Sequence, residues 1–307
     1  MAEKKFDIIV AGEINPDLIL TGDVQPEFGQ VEKLVDTASF TIGSSPAIFA
    51  CGAARLGLKV AFVGVCGDDT FGHFMLTEMQ KRDVDVNNVI IKQDGKTGFS
   101  VILNQDLDRA ILTYSGLIHA LRARDIPEDL IQQSKHLHIA SYFLQTRLQP
   151  DLPALFGKVR KLGLTTSLDT NFDPSQKWAG FDDMLSETNV LLPNEREALS
   201  LSKENTIDLA ARKLGNRVEV LAVKLGADGA LGFWDNKKVQ IPSIPVTVVD
   251  TVGAGDSFDA GFLYGYITGW NLEKSLQLAC VCGALSTQKA GGTAGQPDLK
   301  EAMSYVS

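Results

Sequence analysis

The sequence predicts an α/β fold built on a mostly parallel central sheet. Apolar runs of strand length alternate with helical patterns along the whole 307-residue chain, without an internal repeat or a long linker. Residues 6–11 are mostly apolar and lead into Gly12, which is typical of a strand buried on both faces. Near the other end, a glycine-rich turn at 253–255 precedes the helical spacing of apolar residues in 258–267. These observations favour a single domain over residues 1–307.

Composition narrows the class of partners. The chain has a mass of 33.2 kDa and a net charge of −9, with ordinary hydrophobic (44%) and charged (22%) fractions. We expect no nucleic-acid partner, because such a partner requires a basic face. A phosphorylated cosubstrate stays compatible with an acidic protein, since Mg²⁺ and a local backbone nest can bind anions.

The N-terminal residues and the cysteines predict a cytoplasmic protein with no membrane partner. The apolar run at 8–11 is too short for a signal peptide, and no apolar run is long enough to span a bilayer. The cysteines lie within apolar stretches, which favours buried thiols in a reducing compartment over disulfides or zinc ligands. They are Cys51, Cys66, Cys280 and Cys282.

The stretch 249–261 carries the most specific chemical pattern of the chain. The β-branched run at 244–249 predicts a strand, and the helical pattern over 258–267 predicts a helix after the turn. Backbone N–H groups at such a turn form an anion site, and Asp256 beside them could accept a hydroxyl proton. An ordinary N-cap aspartate is the alternative. The residues assigned to this catalytic turn are Gly253, Ala254, Gly255 and Asp256.

A second polar pattern follows the first predicted strand. Asn15 and Asp17 come directly after it, where open α/β sheets bind ligands. Asn-Pro and Pro-Asp also start turns, so the same letters fit simple turn chemistry.

The pattern D-T-x-G-A-G-D-x-F-x-x-G at 250–261 resembles that of the ribokinase family, the PfkB carbohydrate kinases. The resemblance implies a three-layer α/β/α sandwich with a small β-sheet lid, here formed by about residues 14–41 and 95–116. It also implies ATP and Mg²⁺ as cosubstrate and cofactor, and a substrate-binding role for Asp17, Asn15 and Asp256. The resemblance spans nearly the whole chain, and its pieces occur in the family's order.

The first family signature is matched at 41–67, with one departure. Loop, helix, the stop at Gly57 and a strand over 60–65 are predicted in that order. Where many members have Asn, this chain has Ile48, which cannot replace a hydrogen-bonding amide. The departure favours a less polar sugar site than in ribokinase itself. The signature residues expected near the substrate are Gly43, Ser44 and Ile48.

The predicted lid contains a β-hairpin at 97–114 that turns at 105–108. A lid excludes water from phosphoryl transfer, and exposed lid strands can pair between subunits, so we expect a homodimer through the lid. A strand is predicted at 135–140, whose His136 and His138 we interpret as structural. Tyr142 follows it, and with Phe143 it is a candidate for substrate specificity.

The remaining family pieces imply a nucleotide site. Strands are predicted at 164–171, at 190–194 and on both sides of a glycine turn in 218–230, and a helix over 276–289. The residues that match the family's phosphate and nucleotide positions are Asp169, Asn171, Asn194, Lys224, Gly226, Gly229, Gly255 and Thr287. Glu197 matches a position linked to Mg²⁺, although Asn194 and Glu197 also fit an ordinary helix cap. Asp250, with the loop 290–295, matches a monovalent-cation site, so K⁺ is a possible further ion.

The sequence therefore predicts an ATP-dependent kinase that phosphorylates a primary hydroxyl of a small sugar. Ribose, fructose and 2-keto-3-deoxygluconate stay open as acceptors. A nucleoside kinase of the same fold is the alternative enzyme, because Ile48, Tyr142 and Phe143 could make room for a base. A catalytically silent ligand-binding protein is the alternative outside enzymes. A dehydrogenase is disfavoured, because no G-x-G-x-x-G follows the first strand.

Overall fold

The computed structural model describes residues 4–105, 108–235 and 237–306, and its strands form three sheets. The strands are, in chain order, β1 (Phe6–Ala11), β2 (Pro16–Thr21), β3 (Thr37–Ile42), β4 (Val60–Val63), β5 (Val65–Gly67), β6 (Val84–Asp85), β7 (Ile90–Lys92), β8 (Phe99–Gln105), β9 (Asp108–Tyr114), β10 (Ser134–Ile139), β11 (Thr165–Leu168), β12 (Val190–Leu191), β13 (Val220–Lys224), β14 (Ala230–Trp234) and β15 (Lys237–Ile241).

The helices connect these strands. They are α1 (Ser45–Arg55), α2 (Thr70–Gln80), α3 (Glu128–Gln132), α4 (Leu152–Lys161), α5 (Asp182–Ser186), α6 (Glu195–Ser202), α7 (Ile207–Gly215), α8 (Ala254–Ile267), α9 (Leu272–Ser286) and α10 (Leu299–Met303). Short 3₁₀ turns occur at Ala123–Asp125, Tyr142–Leu144, Gln149–Asp151 and Gly226–Asp228.

The central sheet has nine strands in the order β15-β14-β13-β12-β11-β10-β1-β4-β6. From β13 to β6 every neighbouring pair is parallel, while β14 and β15 extend the sheet as an antiparallel edge. Parallel strands need crossover connections, and here the helices supply most of them. The carboxyl ends of β1 and β10 to β13 therefore meet at one edge of the sheet.

Two hydrophobic cores cover the two faces of this sheet. Along β1, Ile8 and Val10 belong to one core, and Ile9 and Ala11 belong to the other, as the two-residue period of a strand requires. Helices α1, α8 and α9 pack on the first face, and α4 and α7 pack on the second. This arrangement confirms the three-layer α/β/α sandwich.

The second sheet has the order β3-β2-β8-β9, with β2 and β8 parallel and the outer pairs antiparallel. It coincides with the segments predicted to form a lid, and β8 with β9 forms the predicted hairpin. Residues 106 and 107, within the predicted turn at 105–108, lie outside the described residues. Strands β5 and β7 form a separate, two-stranded parallel sheet.

Several boundaries differ from the prediction, among them the ends of the strands expected at 164–171 and 190–194, which stop at Leu168 and Leu191. The strand expected at 60–65 is divided at Gly64, where a side chain would lie 2.8 Å from the Gly12 carbonyl and from Ile14. Helix α8 begins at Ala254 rather than at Phe258, because the glycine turn itself forms the first helical residues. The last long helix is α9, which ends at Ser286 and not at residue 289.

The prediction of a strand at 244–249 was wrong. These residues adopt no regular secondary structure, and Val248 and Val249 are 57% and 63% exposed. Pro242 and Pro245 provide the physical reason, since proline has no N–H to donate to a strand ladder. The β-branched composition of the segment therefore does not reflect a strand, and the segment instead lines a cavity described below.

The histidines and the cysteines have the structural roles expected of them. His136 and His138 are buried, and both accept or donate hydrogen bonds with the Ser167 hydroxyl, at 2.6 and 2.7 Å. Burial lowers the pKa of His136 to about 3, so the ring is neutral. All four cysteines are buried free thiols. No helix within the described ranges has the length and apolar character needed to cross a membrane.

Replacing Phe49 by alanine should test the packing between α1 and the sheet. The Phe49 ring is fully buried and stacks on His138, with ring centroids 4.0 Å apart. Because the deletion leaves a cavity, we expect the free energy of unfolding to fall by about 3–5 kcal/mol in urea denaturation. The control Leu209→Ala, at a residue 49% exposed on α7, should cost much less. Equal losses in both variants would contradict this description of the core.

Candidate active site

The predicted site residues converge at the carboxyl edge of the central sheet. Asn15 and Asp17 follow β1, Asp169 and Asn171 follow β11, and Lys224 ends β13. The first turn of α8 brings Asp256 to the same edge, where its carboxylate accepts a hydrogen bond from Ser45 at the start of α1. Parallel strands place their ends together in this way, so residues far apart in sequence become neighbours.

The turn before α8 has the geometry of an anion site. Gly253 is its N-cap residue with a φ of 72°, and a side chain there would lie 2.8 Å from Gly292 and 2.9 Å from Ile48. We expected the N–H group of Ala254 to be free to bind an anion, but it donates to the Thr251 carbonyl at 3.3 Å. The N–H groups of Gly255 and Asp256 have no backbone acceptor among the described residues. These two groups, at the positive end of the helix, point to an anion-binding turn.

Asp256 has the properties of a general base. It is half-buried, and the resulting desolvation first, then the nearby charge of Asp169, raises its pKa to about 7. The Ser45 hydroxyl and the Lys224 ammonium group act in the opposite direction. A carboxylate with a pKa near neutrality can accept a proton and release it again. No local pattern marks Ser45, which lies 211 residues from Asp256 in the chain.

Lys224 connects the turn to a set of buried carboxylates. Its Nζ atom lies 3.0 Å from Asp259 Oδ2 and 3.3 Å from Asp169 Oδ2. A side chain built on Gly255 would lie 3.6 Å from Nζ, so the ammonium group flanks the anion-binding turn. Burial alone would lower the pKa of Lys224, but Asp169, Asp259 and Glu197 together raise it above its usual value. The lysine is therefore a fixed positive charge next to the turn.

Asp259, which sequence reasoning missed, is the most buried member of this set. It is 1% exposed, and its Oδ1 atom has no hydrogen-bond partner among the described residues. Burial raises the pKa of Asp259 well above its usual value, against the effect of Lys224. Its spacing of three residues from Asp256 on α8 could have indicated that both side chains lie near the same edge.

Asn194 and Glu197 form a helix cap in the structure. Asn194 is the N-cap of α6, and its backbone N–H and side-chain amide donate to the two Glu197 oxygens at 3.0 and 2.7 Å. Burial and the charge of Asp169 raise the pKa of Glu197 to about 7. Asn194 also pairs with Lys224 through a parallel bridge, which places the cap beside the lysine. The link of Glu197 to Mg²⁺ stays a prediction.

Asp17 and Asn15 form the acceptor side of the edge. The Asn15 amide donates to Asp17 Oδ1 at 3.5 Å, and a side chain on Gly43 would overlap the Asp17 carboxylate. Burial raises the pKa of Asp17 to about 7, while the charge of Arg109 lowers it. Gly43 is thus required for the close approach of the loop before α1.

The other predicted substrate residues have roles in packing. Ser44 is the N-cap of α1, and its hydroxyl donates to the Glu13 carbonyl at 2.7 Å. Ile48 is 3% exposed, and its side chain packs against Gly253 and Gly292. Tyr142 is buried in the second core against Phe143, and its hydroxyl donates to the Gly180 carbonyl at 3.2 Å. Their roles toward a substrate stay predictions.

A cavity of about 660 Å³ opens on the other side of the turn. Its walls include the turn residue Gly255 and the segment 243–248, except Thr247, which replaces the strand expected there. The size is suitable for a nucleotide. Predicted nucleotide residues that line it are Lys224, Gly226, Gly229, Gly255 and Thr287. Asn171 and Asn194 are not among its lining residues.

Asp250 fastens the loop 290–295 to the turn. Its Oδ1 atom accepts from the Val252 N–H at 3.0 Å and its Oδ2 atom accepts from the Gly291 N–H at 2.8 Å. Within the described ranges, no group of three His, Cys, Asp or Glu side chains is arranged to hold a metal ion. The oxygen-rich donor set around Asp169 and Glu197 fits a hard cation held mainly by phosphates and water.

A half-buried carboxylate beside an anion-binding turn, with the polar side chains of Asn15 and Asp17 at the same sheet edge and a nucleotide-sized cavity at the turn, is the arrangement of a phosphotransferase that acts on a hydroxyl group. Comparison with known proteins agrees. The model of the pfkB family of carbohydrate kinases matches residues 5–299, and the chain belongs to this family.

Similar proteins are sugar kinases. An ATP-dependent ribose-1-phosphate kinase of Halopiger xanaduensis is 30% identical over 288 residues, 92% of this chain and 93% of that protein. A 2-dehydro-3-deoxygluconokinase of Bacillus subtilis is 30% identical over 302 residues, 92% of this chain and 91% of that protein. An E. coli structure described as a ribokinase II with ATP and Mg²⁺ has a TM-score of 0.87 at 24% identity, covering 98% of both chains.

Replacing Lys224 by methionine should shift the pH dependence of activity. Because the ammonium group lowers the pKa of Asp256, its removal raises that pKa above about 7. The base must be ionised, so we expect the acid limb of kcat/KM to move to higher pH by roughly one unit. The control Lys161→Met alters an exposed lysine at the end of α4 and should leave the profile unchanged. An unshifted profile for Lys224→Met would remove the electrostatic link.

Proposed function

We propose that the protein transfers the γ-phosphate of ATP to a primary hydroxyl of a small carbohydrate. The observation that carries this proposal is the position of Asp256. Its carboxylate lies at the anion-binding turn, with Asn15 and Asp17 on the acceptor side and the 660 Å³ cavity on the other side. A base between two binding sites is what direct in-line transfer requires.

Asp256 acts as the base of the transfer. Its ionised carboxylate accepts the proton of the acceptor hydroxyl as that oxygen attacks the γ-phosphorus. The bond from the γ-phosphorus to the bridging oxygen breaks, and ADP leaves with the electron pair. A pKa near 7 suits this exchange at neutral pH.

The turn and Lys224 stabilise the transferred group. The N–H groups of Gly255 and Asp256 donate to the equatorial oxygens, and the Lys224 ammonium group adds a fixed positive charge beside them. Mg²⁺, when bound with the nucleotide, neutralises phosphate charge, and Glu197 would hold it through water. Positioning and electrostatics thus supply most of the catalysis.

The acceptor is proposed to be a sugar that carries an acidic group. The two relatives named above act, by their names, on a sugar phosphate and a sugar acid. Arg109 pairs with Asn104, which pairs with Thr21, four residues beyond Asp17 on β2. Directly paired residues share a sheet face, so Arg109 and Asp17 share one. A cation on the Asp17 face of this sheet supports an anionic acceptor.

The four-stranded sheet is proposed to serve as the lid of a single domain. Its segments, about 14–41 and 95–116, would exclude water from the transfer.

Large apolar side chains of this sheet are exposed, including Ile111 (53%), Leu112 (60%) and Tyr114 (51%). We propose that these strands pair two copies of the chain, which sedimentation of the native protein and of Leu112→Lys would test.

The setting and ions of the enzyme complete the proposal. Free buried cysteines and a net charge of −9 support a cytoplasmic enzyme without a nucleic-acid or membrane partner. K⁺ is proposed to bind beside Asp250 and the loop 290–295, close to the turn.

Replacing Asp256 by asparagine should abolish most turnover and leave ATP binding intact. The amide keeps the shape of the side chain but cannot accept a proton, so we expect kcat to fall by about 10²–10⁴. The ATP dissociation constant, measured by calorimetry, should change little, because the cavity residues stay in place. Near-normal turnover would exclude Asp256 as the base.

The proposed function is tested by ADP release with Mg-ATP over a panel of acceptors, with and without K⁺. The panel contains ribose, fructose, 2-keto-3-deoxygluconate, ribose-1-phosphate and three nucleosides. Turnover on an acidic sugar, lost in Arg109→Met, is the expected result. Turnover on nucleosides alone would favour a nucleoside kinase instead, and silence across the panel would favour a ligand-binding protein.

A further inference from the structure

Three strained residues surround the acceptor side of the site. Ser44, Ser141 and Asn171 are not glycines, yet their φ angles are 66°, 54° and 53°. Such backbone conformations are unfavourable for residues other than glycine and persist only where the surroundings hold them. Ser44 precedes α1, Ser141 follows β10, and Asn171 follows β11. The strain is thus shared by three loops at the same edge of the sheet.

Glu13 connects these three loops. Its backbone carbonyl accepts from the Ser44 hydroxyl at 2.7 Å, and its Oε1 atom accepts from the Ser141 hydroxyl at 2.8 Å. The Asn171 amide donates to the same Ser141 oxygen at 3.2 Å. The Glu13 Oε2 atom accepts from the Gln145 amide at 2.7 Å. One side chain directly after β1 therefore holds the ends of β10 and β11.

The environment of Glu13 is unusual for a carboxylate. It is 3% exposed, and among the described residues no lysine or arginine pairs with it. Burial, with a smaller effect from the charge of Asp256, raises the pKa of Glu13 to about 8, against the hydrogen bonds that it accepts. Burying a carboxyl group without a neighbouring cation destabilises the folded state. The fold keeps this unfavourable arrangement at the candidate site itself.

We propose that Glu13 is a positioning residue of the acceptor site, fixing Ser141 directly and Asn171 through Ser141 beside the catalytic aspartate. This inference rests on the proposed function, because it assigns the acceptor to this edge. Both Glu13 oxygens accept hydrogen bonds, from Ser141 and from Gln145, so we assign Glu13 a role that it exerts through those two residues.

Two variants of Glu13 separate the effect of side-chain volume from the effect of hydrogen bonding. In Glu13→Gln, the amide oxygen can still accept from Ser141. Its NH₂ group can donate to Gln145 Oε1, which has no partner now, once the Gln145 amide turns. In Glu13→Leu, the side chain keeps its bulk but releases Ser141 and Gln145. The glutamine variant is the conservative rescue of the leucine variant.

The matched control is Asn189→Leu. Asn189 is also buried and polar, and it accepts from the Thr166 N–H at 3.0 Å. It lies before β12, at the opposite edge of the same sheet. This variant therefore measures the effect of losing a buried hydrogen-bond network far from the site.

The kinetic test compares the KM of the acceptor with the KM of ATP. For Glu13→Leu we expect the acceptor KM to rise about 10–100-fold and the ATP KM to change less than about twofold. Glu13→Gln should restore most of the loss, and Asn189→Leu should lower the melting temperature without this split. Equal effects of Glu13→Leu on both KM values, or an equal split in Asn189→Leu, would overturn the proposal.

Hydrogen exchange tests the positioning role even without turnover. If wild-type protein phosphorylates nothing in the panel, the proposed function fails, but the fixation of the loops can still be measured. Faster amide exchange at 141–145 and 169–173 in Glu13→Leu, absent from Asn189→Leu and reversed in Glu13→Gln, would support it. Unchanged exchange at these segments would refute the positioning role independently of the enzyme's activity.

Discussion

The balance of charge around Lys224 is the interaction on which the active site depends. The lysine comes from β13, Asp169 follows β11, and Asp259 lies on α8, so one ammonium group links three elements. Without it, the buried carboxylates would repel one another at high cost. Because the same ammonium group flanks Gly255, the position of the catalytic turn is coupled to the electrostatics of the sheet edge.

The parts of the site encoded locally were predictable from the sequence. The glycine turn, the aspartate after it and the cap at Asn194 are short patterns whose backbone requirements are visible in the letters themselves. The order of strands and helices was predictable for the same reason, since apolar periodicity reports local structure. Lys224, Gly226 and Gly229 were found through resemblance, and they line the cavity.

The parts that depend on distant partners were not predictable. Ser45 and Asp256 are separated by 211 residues, Glu13 and Ser141 by 128, and Lys224 and Asp259 by 35. No local pattern marks a carboxylate whose role is defined by a partner on another strand. The error at 244–249 has a different origin, because a β-branched run was given more weight than Pro245 within it.

Ile48 shows how a departure from a family pattern can acquire a structural meaning. In sequence it removes an amide from the acceptor side. In the structure its side chain packs against Gly253 and Gly292, so it supports the turn that we propose to bind the phosphate. A change of acceptor preference at this position would therefore be coupled to the shape of the anion-binding turn.

In the described part of the chain, the cavity wall at 243–248 is not held in place by backbone hydrogen bonds. Its backbone makes no hydrogen bond to other backbone groups within the described ranges, and the chain is secured again only where the Val249 N–H donates to the Thr287 carbonyl. Ile244 and Val246 are partly buried against the first core, so side-chain packing and not a strand ladder holds this wall in place. The shape of this wall is therefore sensitive to substitution of those two apolar side chains, whereas the strand ends at the sheet edge are held by backbone pairing.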